Sequence, residues 1–249
     1  MGLSDSAVDV TNEFILLCES PENCSIDNLI NLSCNSPHVL NACSSNGQLA
    51  LIAAIECYNM DAIKWILSDP YQNLRINNCN EEDGLCALSA AAACSAEYDI
   101  GLFALELIID RWGAKSLLFN QRDKVNGWGT LHYCAYHNHF NAAKHLIIKE
   151  KEYRGLIEPG AASLLDHYGQ SCLHVATSRG NADIVQLFLD ECFSESDGLA
   201  GGQDLRTLDR DRQTAFDVAE DAEDNSITAA EIRDMLIKHE IKMAAKGKC

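Results

Sequence analysis

The stretch Asp166–Leu189, DHYGQSCLHVATSRGNADIVQLFL, decides the fold of the chain. It begins with a turn that contains Gly169, enters a short helix at Leu173 and His174, and passes a second glycine, Gly180. The residues after Gly180 place apolar side chains at the spacing of one helix face. Because glycines punctuate turns, the pattern predicts two short helices joined as a hairpin. One hairpin cannot bury its own apolar face, so the pattern must recur in the chain.

The same pattern does recur. Asn46–Ala54 aligns without a gap on Tyr168–Ala176, with a constant offset of 169 − 47 = 122 residues. Further units open at three other places, Asp83, Asn126 and Asp209. The turn glycine of the second of these, Gly127, lies 169 − 127 = 42 residues before Gly169. Such self-similarity at a nearly fixed period is the mark of a repeat architecture.

The repeated unit resembles the ankyrin repeat. Nine residues of one unit carry the match: Asp166, Gly169, Leu173, His174, Ala176, Gly180, Ile184, Val185 and Leu189. Cys172 stands where the family has the Pro of its Thr-Pro-Leu-His motif. The resemblance implies helical hairpins that stack side by side, turns that project from the stack, and a concave face. It also implies a binding role without catalysis or a cofactor.

We therefore predict an all-α ankyrin-repeat solenoid of about six stacked helical hairpins with projecting turns. The repeats form a single domain over residues 8–241, followed by a short basic tail, 242–249. Their approximate bounds are 8–37, 38–73, 74–115, 116–158, 159–202 and 203–241.

The terminal repeats are expected to differ from the central ones, because one face of each has no neighbouring repeat. We predict the first two helices over Val8–Cys18 and Ser25–Leu32, the second with Ser25 as its N-cap. The last outer helix is predicted over Ala229–Ile241, with Ser226 or Thr228 as its N-cap.

Two units lack a glycine of the pattern. Tyr58 stands at the position of Gly180, and Arg212 stands at the position of Gly169. Large apolar residues nevertheless recur at one position of each inner helix, where it must touch the next repeat. These residues are Leu51, Leu88, Leu131, Leu173 and Phe216.

The composition favours a globular chain inside the cell. Hydrophobic residues make up 47% of the 249 residues. No apolar run reaches the eighteen or so residues of a membrane-spanning helix, and Met1–Asn12 lacks the features of a secretory signal. With 19 basic and 37 acidic residues the net charge is −18, which opposes nonspecific nucleic-acid binding and favours solubility or a partner with a basic surface. We expect a monomer in the cytoplasm or the nucleus.

The twelve cysteines are scattered from Cys18 to Cys249 and form no Cys-x-x-Cys pair. Several fall on predicted helix faces, and an intracellular chain keeps its thiols reduced. We expect free thiols, most of them buried.

His132, Cys134, His137 and His139 have the residue types of a zinc site or of a Cys/His nucleophile pair. The repeat itself accounts for three of them, since His132 fills its Leu-His position, Cys134 its small core position, and His139 the position after its second glycine. We therefore predict no metal, no cofactor and no catalytic residue. A metal-binding protein or a Cys/His enzyme built on this cluster remains the alternative.

Met1–Ser6 fits the short pattern for N-myristoylation, in which Gly2 is acylated after Met1 is removed. One acyl chain binds membranes weakly without a basic patch, and the neighbouring residues are acidic. A lipid-anchored adaptor is thus a second alternative.

Recognition in this family uses variable positions around the turn glycine and near the end of the inner helix. The resemblance assigns partner binding to Asn126, Trp128, Tyr136, His137, His167, Tyr168, Gln170, Ser178, Arg179 and Arg210, with Val125, Asp211, Gln213 and Asp221 nearby. Trp, Tyr and Arg dominate binding hot spots, so we expect Trp128, Tyr136 and Tyr168 to form one aromatic patch. We predict a non-enzymatic adaptor, scaffold or inhibitor that binds another protein through its concave face and turn tips.

Overall fold

The computed structural model describes residues 5–68, 74–94, 99–113, 119–152, 162, 164–192, 205–221 and 227–245. The described elements are helices joined by turns and isolated bridges, which makes the chain all-α as predicted. The chain divides into two compact units, Met1–Val125 and Asn126–Cys249. The predicted single domain, 8–241, spans both. Gly2, the connecting segments at 153–161 and 193–204, and the end of the tail lie outside the described residues.

The described residues of the first unit form three helical hairpins in two layers. Its helices are α1 (Asp5–Glu19), α2 (Ile26–Asn35), α3 (Ala50–Glu56), α4 (Met60–Ser68), α5 (Ala87–Ala93) and α6 (Ile100–Trp112), with a 3-10 helix at Pro37–Leu40. The inner helices α1, α3 and α5 pack in a row, and the outer helices α2, α4 and α6 pack in a second row. Each inner helix also packs on the outer helix that follows it.

The second unit repeats this arrangement. Its helices are α7 (Thr130–His137), α8 (Phe140–Glu152), α9 (Cys172–Ser178), α10 (Ala182–Glu191), α11 (Ala215–Asp221) and α12 (Ile227–Ala245). The inner row is α7, α9 and α11, and the outer row is α8, α10 and α12. Short helices of seven or eight residues, as in the inner row, are unstable alone, so their stability comes from the neighbouring repeats.

The turn before each inner helix confirms the repeat alignment. Gly169 has a positive φ of +75°, a conformation in which a side chain is strained, and the glycines aligned with it have φ of +72° to +78°. Arg212 adopts the same left-handed conformation at φ 63° although it has a side chain. Tyr58, at the position of the second glycine, is also left-handed at φ 57°. The chain therefore keeps the turn geometry where it has lost the glycine.

Adjacent turn tips are joined by hydrogen bonds between backbone atoms. In each case an amide N–H of one tip donates to a carbonyl oxygen of the tip before it. The four bonds are Glu81 to Gly47 (2.7 Å), Lys124 to Asp83 (2.6 Å), His167 to Asn126 (2.8 Å) and Arg210 to Tyr168 (2.9 Å). These bonds fix the register of neighbouring repeats within each unit.

The predicted stacking residues form the core with one exception. Leu51, Leu88, Leu131 and Leu173 are buried. Phe216 is only half-buried, contrary to our expectation. It lies on α11, which packs against α9 and α12, and no further inner helix follows α11 in the described chain.

The terminal helices are longer than the sequence predicts. The first extends to Glu19, and the last continues past Ile241 to Ala245. Ser25 precedes α2 in an extended conformation, but its side chain makes no capping hydrogen bond. Thr228 lies inside α12 and is therefore not its cap, and Ser226 is outside the described residues.

Candidate binding surface

Two buried histidines connect the inner helices of the second unit to the next turn. His174 Nδ1 accepts a hydrogen bond from the Ser171 amide, and its Nε2 lies 3.1 Å from the carbonyl oxygen of Gln213. His132 makes the equivalent contacts, with the amide of Gly129 and with the carbonyl oxygen of Gln170 at 3.2 Å. Both imidazoles are consistent with a neutral tautomer that carries its proton on Nε2. These histidines hold repeats together.

The four residues of the His/Cys cluster do not converge on one point. Cys134 is 0% exposed, and burial raises the pKa of its thiol far above the ordinary value. His132 faces the backbone of the next repeat, whereas the rings of His137 and His139 stack at 5.7 Å. Within the described part of the chain no group of three or more His, Cys, Asp or Glu side chains could hold a metal ion.

An aromatic cluster joins Trp128, which precedes α7, to three residues of that helix. The ring of Trp128 lies 5.3 Å from that of Tyr133, edge to face, and 5.0 Å from that of Tyr136. The ring of Tyr136 lies 5.1 Å from that of His137. Such ring pairs are favourable beyond the area they bury. We call Trp128, Tyr133, Tyr136, His137 and Arg179 the aromatic surface.

Arg179 extends the aromatic surface from α7 to α9. It caps the C-terminus of α9, and its guanidinium carbon lies 4.3 Å from the centre of the Tyr136 ring. This distance is well within the range of cation–π attraction. Burial lowers the pKa of His137, and the nearby His139 and Arg179 lower it further. His137 is thus held in its neutral form more strongly than an isolated histidine.

Asp166 ties the fifth turn to the aromatic surface. Its Oδ1 accepts hydrogen bonds from the amides of Tyr168 and Gln170, both at 2.8 Å, and its Oδ2 accepts one from Trp128 Nε1 at 3.2 Å. Trp128 is therefore half-buried and held in place, where the sequence suggests a protruding tip. Asp209 binds its own turn in the same way, with the amides of Asp211 and Gln213 at 2.9 Å.

The structure brings four of the ten predicted binding residues into the aromatic surface, namely Trp128, Tyr136, His137 and Arg179. Tyr168 does not join them. Its side chain is 61% exposed on the fifth turn, and it packs on no other ring of the described residues. The expectation that Tyr168 and Trp128 share one aromatic patch is therefore wrong in this respect.

The remaining predicted residues lie on the turns and at the end of α9. Asn126 and Gln170 are half-buried and offer carbonyl oxygens to His167 and His132. His167 and Arg210 are exposed on successive turn tips. Ser178 is exposed, and its hydroxyl donates to the carbonyl oxygen of Val175 at 3.0 Å.

Sequence reasoning missed Tyr133, which completes the cluster by packing against Trp128. The available signal was helical spacing, because Tyr133 lies three residues before Tyr136 and four before His137.

No helix in the described part of the chain is long and apolar enough to cross a membrane.

Comparison with known proteins identifies the repeat. The family described as "Ankyrin repeats (3 copies)" matches residues 105–200 and 131–246, which together span more than half of the chain. The structure is similar to one chain of a solved complex, that of the predatory endopeptidase Bd0816 from Bdellovibrio bacteriovorus with the immunity protein Bd3460. That similarity has a TM-score of 0.63 at 19% identity and covers 90% of this chain and 96% of the other, so it concerns the fold alone. Comparison with curated proteins gives no match. The two family matches show that the chain belongs to the ankyrin-repeat family.

Proposed function

We propose that the chain is a non-enzymatic protein-interaction module that binds a partner through the aromatic surface and the adjoining turn tips. One observation carries this proposal: Trp128, Tyr136 and Arg179 are held together on the face of the inner helices. In that role it acts as an adaptor, a scaffold or an inhibitor. We further propose that it acts as a monomer, without a cofactor, in the cytoplasm or the nucleus.

The aromatic surface has the chemistry of a binding hot spot. Trp, Tyr and Arg are the residues that most often carry the binding energy of protein interfaces. Here the hydrogen bond of Trp128 to Asp166 and the position of Arg179 over Tyr136 fix these side chains before any partner arrives. Side chains that are already ordered lose less conformational entropy on binding.

The fold also occurs in a protein complex, since the similar solved structure contains an endopeptidase together with an immunity protein. This supports a binding role at the level of the fold.

The Cys/His enzyme is less well supported by the geometry. A nucleophilic cysteine needs an accessible thiolate, whereas Cys134 is fully buried and its pKa is raised. The nitrogens of His132 are engaged with the backbone of two turns, so this histidine has no ring nitrogen left for a substrate. Acylation of Gly2 stays a separate hypothesis, and the intact mass of the chain co-expressed with an N-myristoyltransferase tests it.

The binding proposal is best tested with Tyr136→Ala, measured by capture of the native partner and by thermal melting. Tyr136 is a better target than Trp128, because removing the Trp128 ring also leaves Asp166 Oδ2 without its hydrogen bond. We expect Tyr136→Ala to weaken capture by roughly thirtyfold, which corresponds to about 2 kcal/mol. The melting temperature of Tyr136→Ala should stay close to that of the native chain.

A matched control is Ile148→Ala. Ile148 is 42% exposed on the outer helix α8, so its truncation also removes exposed apolar surface but leaves the aromatic surface intact. Full partner capture by Tyr136→Ala, or an equal loss with Ile148→Ala, would place the binding site elsewhere. Tyr168→Ala then measures how much the turn tips contribute.

A further inference from the structure

Three exposed arginines lie on the aromatic surface and the sixth turn: Arg179, Arg210 and Arg212. Within the described part of the chain none of their guanidinium groups forms an ion pair with a carboxylate. Other cations of the same unit do find a carboxylate. Lys151 pairs with Glu191, and Arg206 lies 3.7 Å from Glu240. The guanidinium groups of Arg179, Arg210 and Arg212 thus have no carboxylate partner among the described residues.

The nearby carboxylates are occupied by the turns themselves. Asp166 and Asp209 are each only 7% exposed and accept hydrogen bonds from turn amides. Asp217 accepts hydrogen bonds from the amide and the hydroxyl of Thr214 at 2.8 Å and 2.7 Å. These hydrogen bonds, and most of all the one from the Thr214 amide, hold the pKa of Asp217 below its ordinary value. Asp221 accepts one from the side chain of Gln213.

The result is a separation of charge at this face. The four carboxylates named above accept hydrogen bonds from other groups, although Asp211, between Arg210 and Arg212, and Glu220 on α11 remain exposed. The guanidinium groups remain available to a partner. Charges more than about 8 Å away are largely screened at physiological ionic strength, so the net charge of −18 acts weakly here.

Arg179 is positioned in advance for a carboxylate. Its guanidinium lies over the Tyr136 ring at 4.3 Å, which limits its rotation. A planar guanidinium in that position can still direct its N–H groups outward, and their fork matches the two oxygens of a carboxylate. A lysine could not offer the same paired geometry.

We infer that the aromatic surface binds an acidic peptide segment of its partner. The segment's carboxylates meet Arg179 and the turn arginines Arg210 and Arg212, and its apolar side chains meet Trp128 and Tyr136. This inference rests on the proposed function and names the chemistry of the partner. It differs from the basic partner that the charge of the whole chain favours.

The test is selection from a random peptide library displayed on phage, with the full chain as bait. We expect the enriched peptides to contain more Asp and Glu than the unselected library. The bound peptide with the highest enrichment is then synthesised, and its affinity is measured by fluorescence anisotropy. Arg179→Glu should weaken it about tenfold or more, because it replaces an attraction with a repulsion. Selection on Arg179→Glu should shift the enriched peptides toward Lys and Arg.

Arg75→Glu is the matched control, since it makes the same change of charge at an exposed arginine of the first unit. It should leave both the enriched sequences and the affinity unchanged, and circular dichroism should show both variants folded. Enrichment of neutral or basic peptides by the native chain, or no enrichment, would contradict the inference that the bound segment is acidic. Equal losses with Arg179→Glu and Arg75→Glu do so too.

Tyr136→Ala separates this failure from failure of the proposed function. If neutral or basic peptides are enriched and Tyr136→Ala abolishes their binding, the aromatic surface binds a partner of different charge. If Tyr136→Ala leaves peptide binding intact, the proposed site itself is wrong.

Discussion

His174 Nε2 and the carbonyl oxygen of Gln213 lie 3.1 Å apart, so that a side chain of the fifth repeat is bonded to the turn of the sixth. Nδ1 of the same ring accepts a hydrogen bond from the amide of Ser171, at the start of its own helix. One neutral imidazole thus satisfies backbone groups of two repeats. Protonation of Nδ1 would remove the acceptor, which couples the charge of this ring to the stability of the unit.

The first prediction is that His174 makes the chain less stable at acidic pH. Burial lowers the pKa of His174 in the folded chain below its ordinary 6.5. Between these two pKa values the unfolded chain binds the proton more readily than the folded chain does. The free energy of unfolding should therefore decrease as pH falls below 6.5 toward the lowered pKa of the folded chain. His174→Gln should cost about 1–3 kcal/mol at neutral pH and flatten this dependence. Urea unfolding of both chains across this range measures the difference, and parallel pH profiles would contradict the prediction.

The second prediction concerns packing between repeats. Leu173 is 2% exposed on α9, which packs between α7 and α11. Leu173→Ala should lower the free energy of unfolding by about 2–5 kcal/mol, because it leaves a cavity. The exposed Ile148→Ala serves as the control in the same denaturation experiment and should change it by less than about 0.5 kcal/mol. A loss that small for Leu173→Ala would be inconsistent with its burial.

The third prediction is that the left-handed turn residue is strained. Arg212 has φ 63°, which costs a residue with a side chain about 1–2 kcal/mol. Arg212→Gly should therefore stabilise the chain, by up to about 1 kcal/mol after the greater entropy of unfolded glycine is subtracted. Gly169→Ala is the opposite test, since φ is +75° and the new Cβ would lie 3.2 Å from the Arg210 amide nitrogen. The melting temperature should rise for Arg212→Gly and fall for Gly169→Ala.

The fourth prediction concerns the thiols. The eleven cysteines that the structure describes are free, and six of them are buried. Burial raises the pKa of Cys94 to about 12, which keeps its thiol protonated and unreactive. With a thiol reagent the exposed Cys34 should react first, and denaturation without reductant should release all twelve. A denatured count below twelve would indicate a disulfide.

The repeat periodicity predicts the fold well because it depends on short-range patterns. The alignment of residues 46–54 with 168–176 places Gly47 and Gly169 at equivalent positions of two turns, and both have positive φ. It also identifies Arg212 as a residue in the glycine position. Burial at the end of the described array is less predictable, since Phe216 matches the pattern but lacks a further inner helix to cover it.

The binding surface is harder to predict because it depends on side-chain directions. The family pattern shows that Trp128 and Tyr168 occupy the same kind of turn position. It does not show that Trp128 folds back onto α7 and bonds to Asp166, whereas Tyr168 stays exposed. Tyr133 joins the cluster only because Trp128 takes that direction.

The hydrogen bonds between turn tips have a consequence for how binding specificity changes during evolution. All four join backbone atoms, and their donors belong to Glu81, Lys124, His167 and Arg210, whose side chains are exposed. Substitution of these side chains therefore leaves the four backbone bonds in place, although Lys124 Nζ adds a side-chain bond to the carbonyl oxygen of Glu81 at 2.6 Å. New partners can be acquired by mutation at the tips with little loss of stability, because the surface that selects the partner and the bonds that align the repeats use different atoms of the same residues.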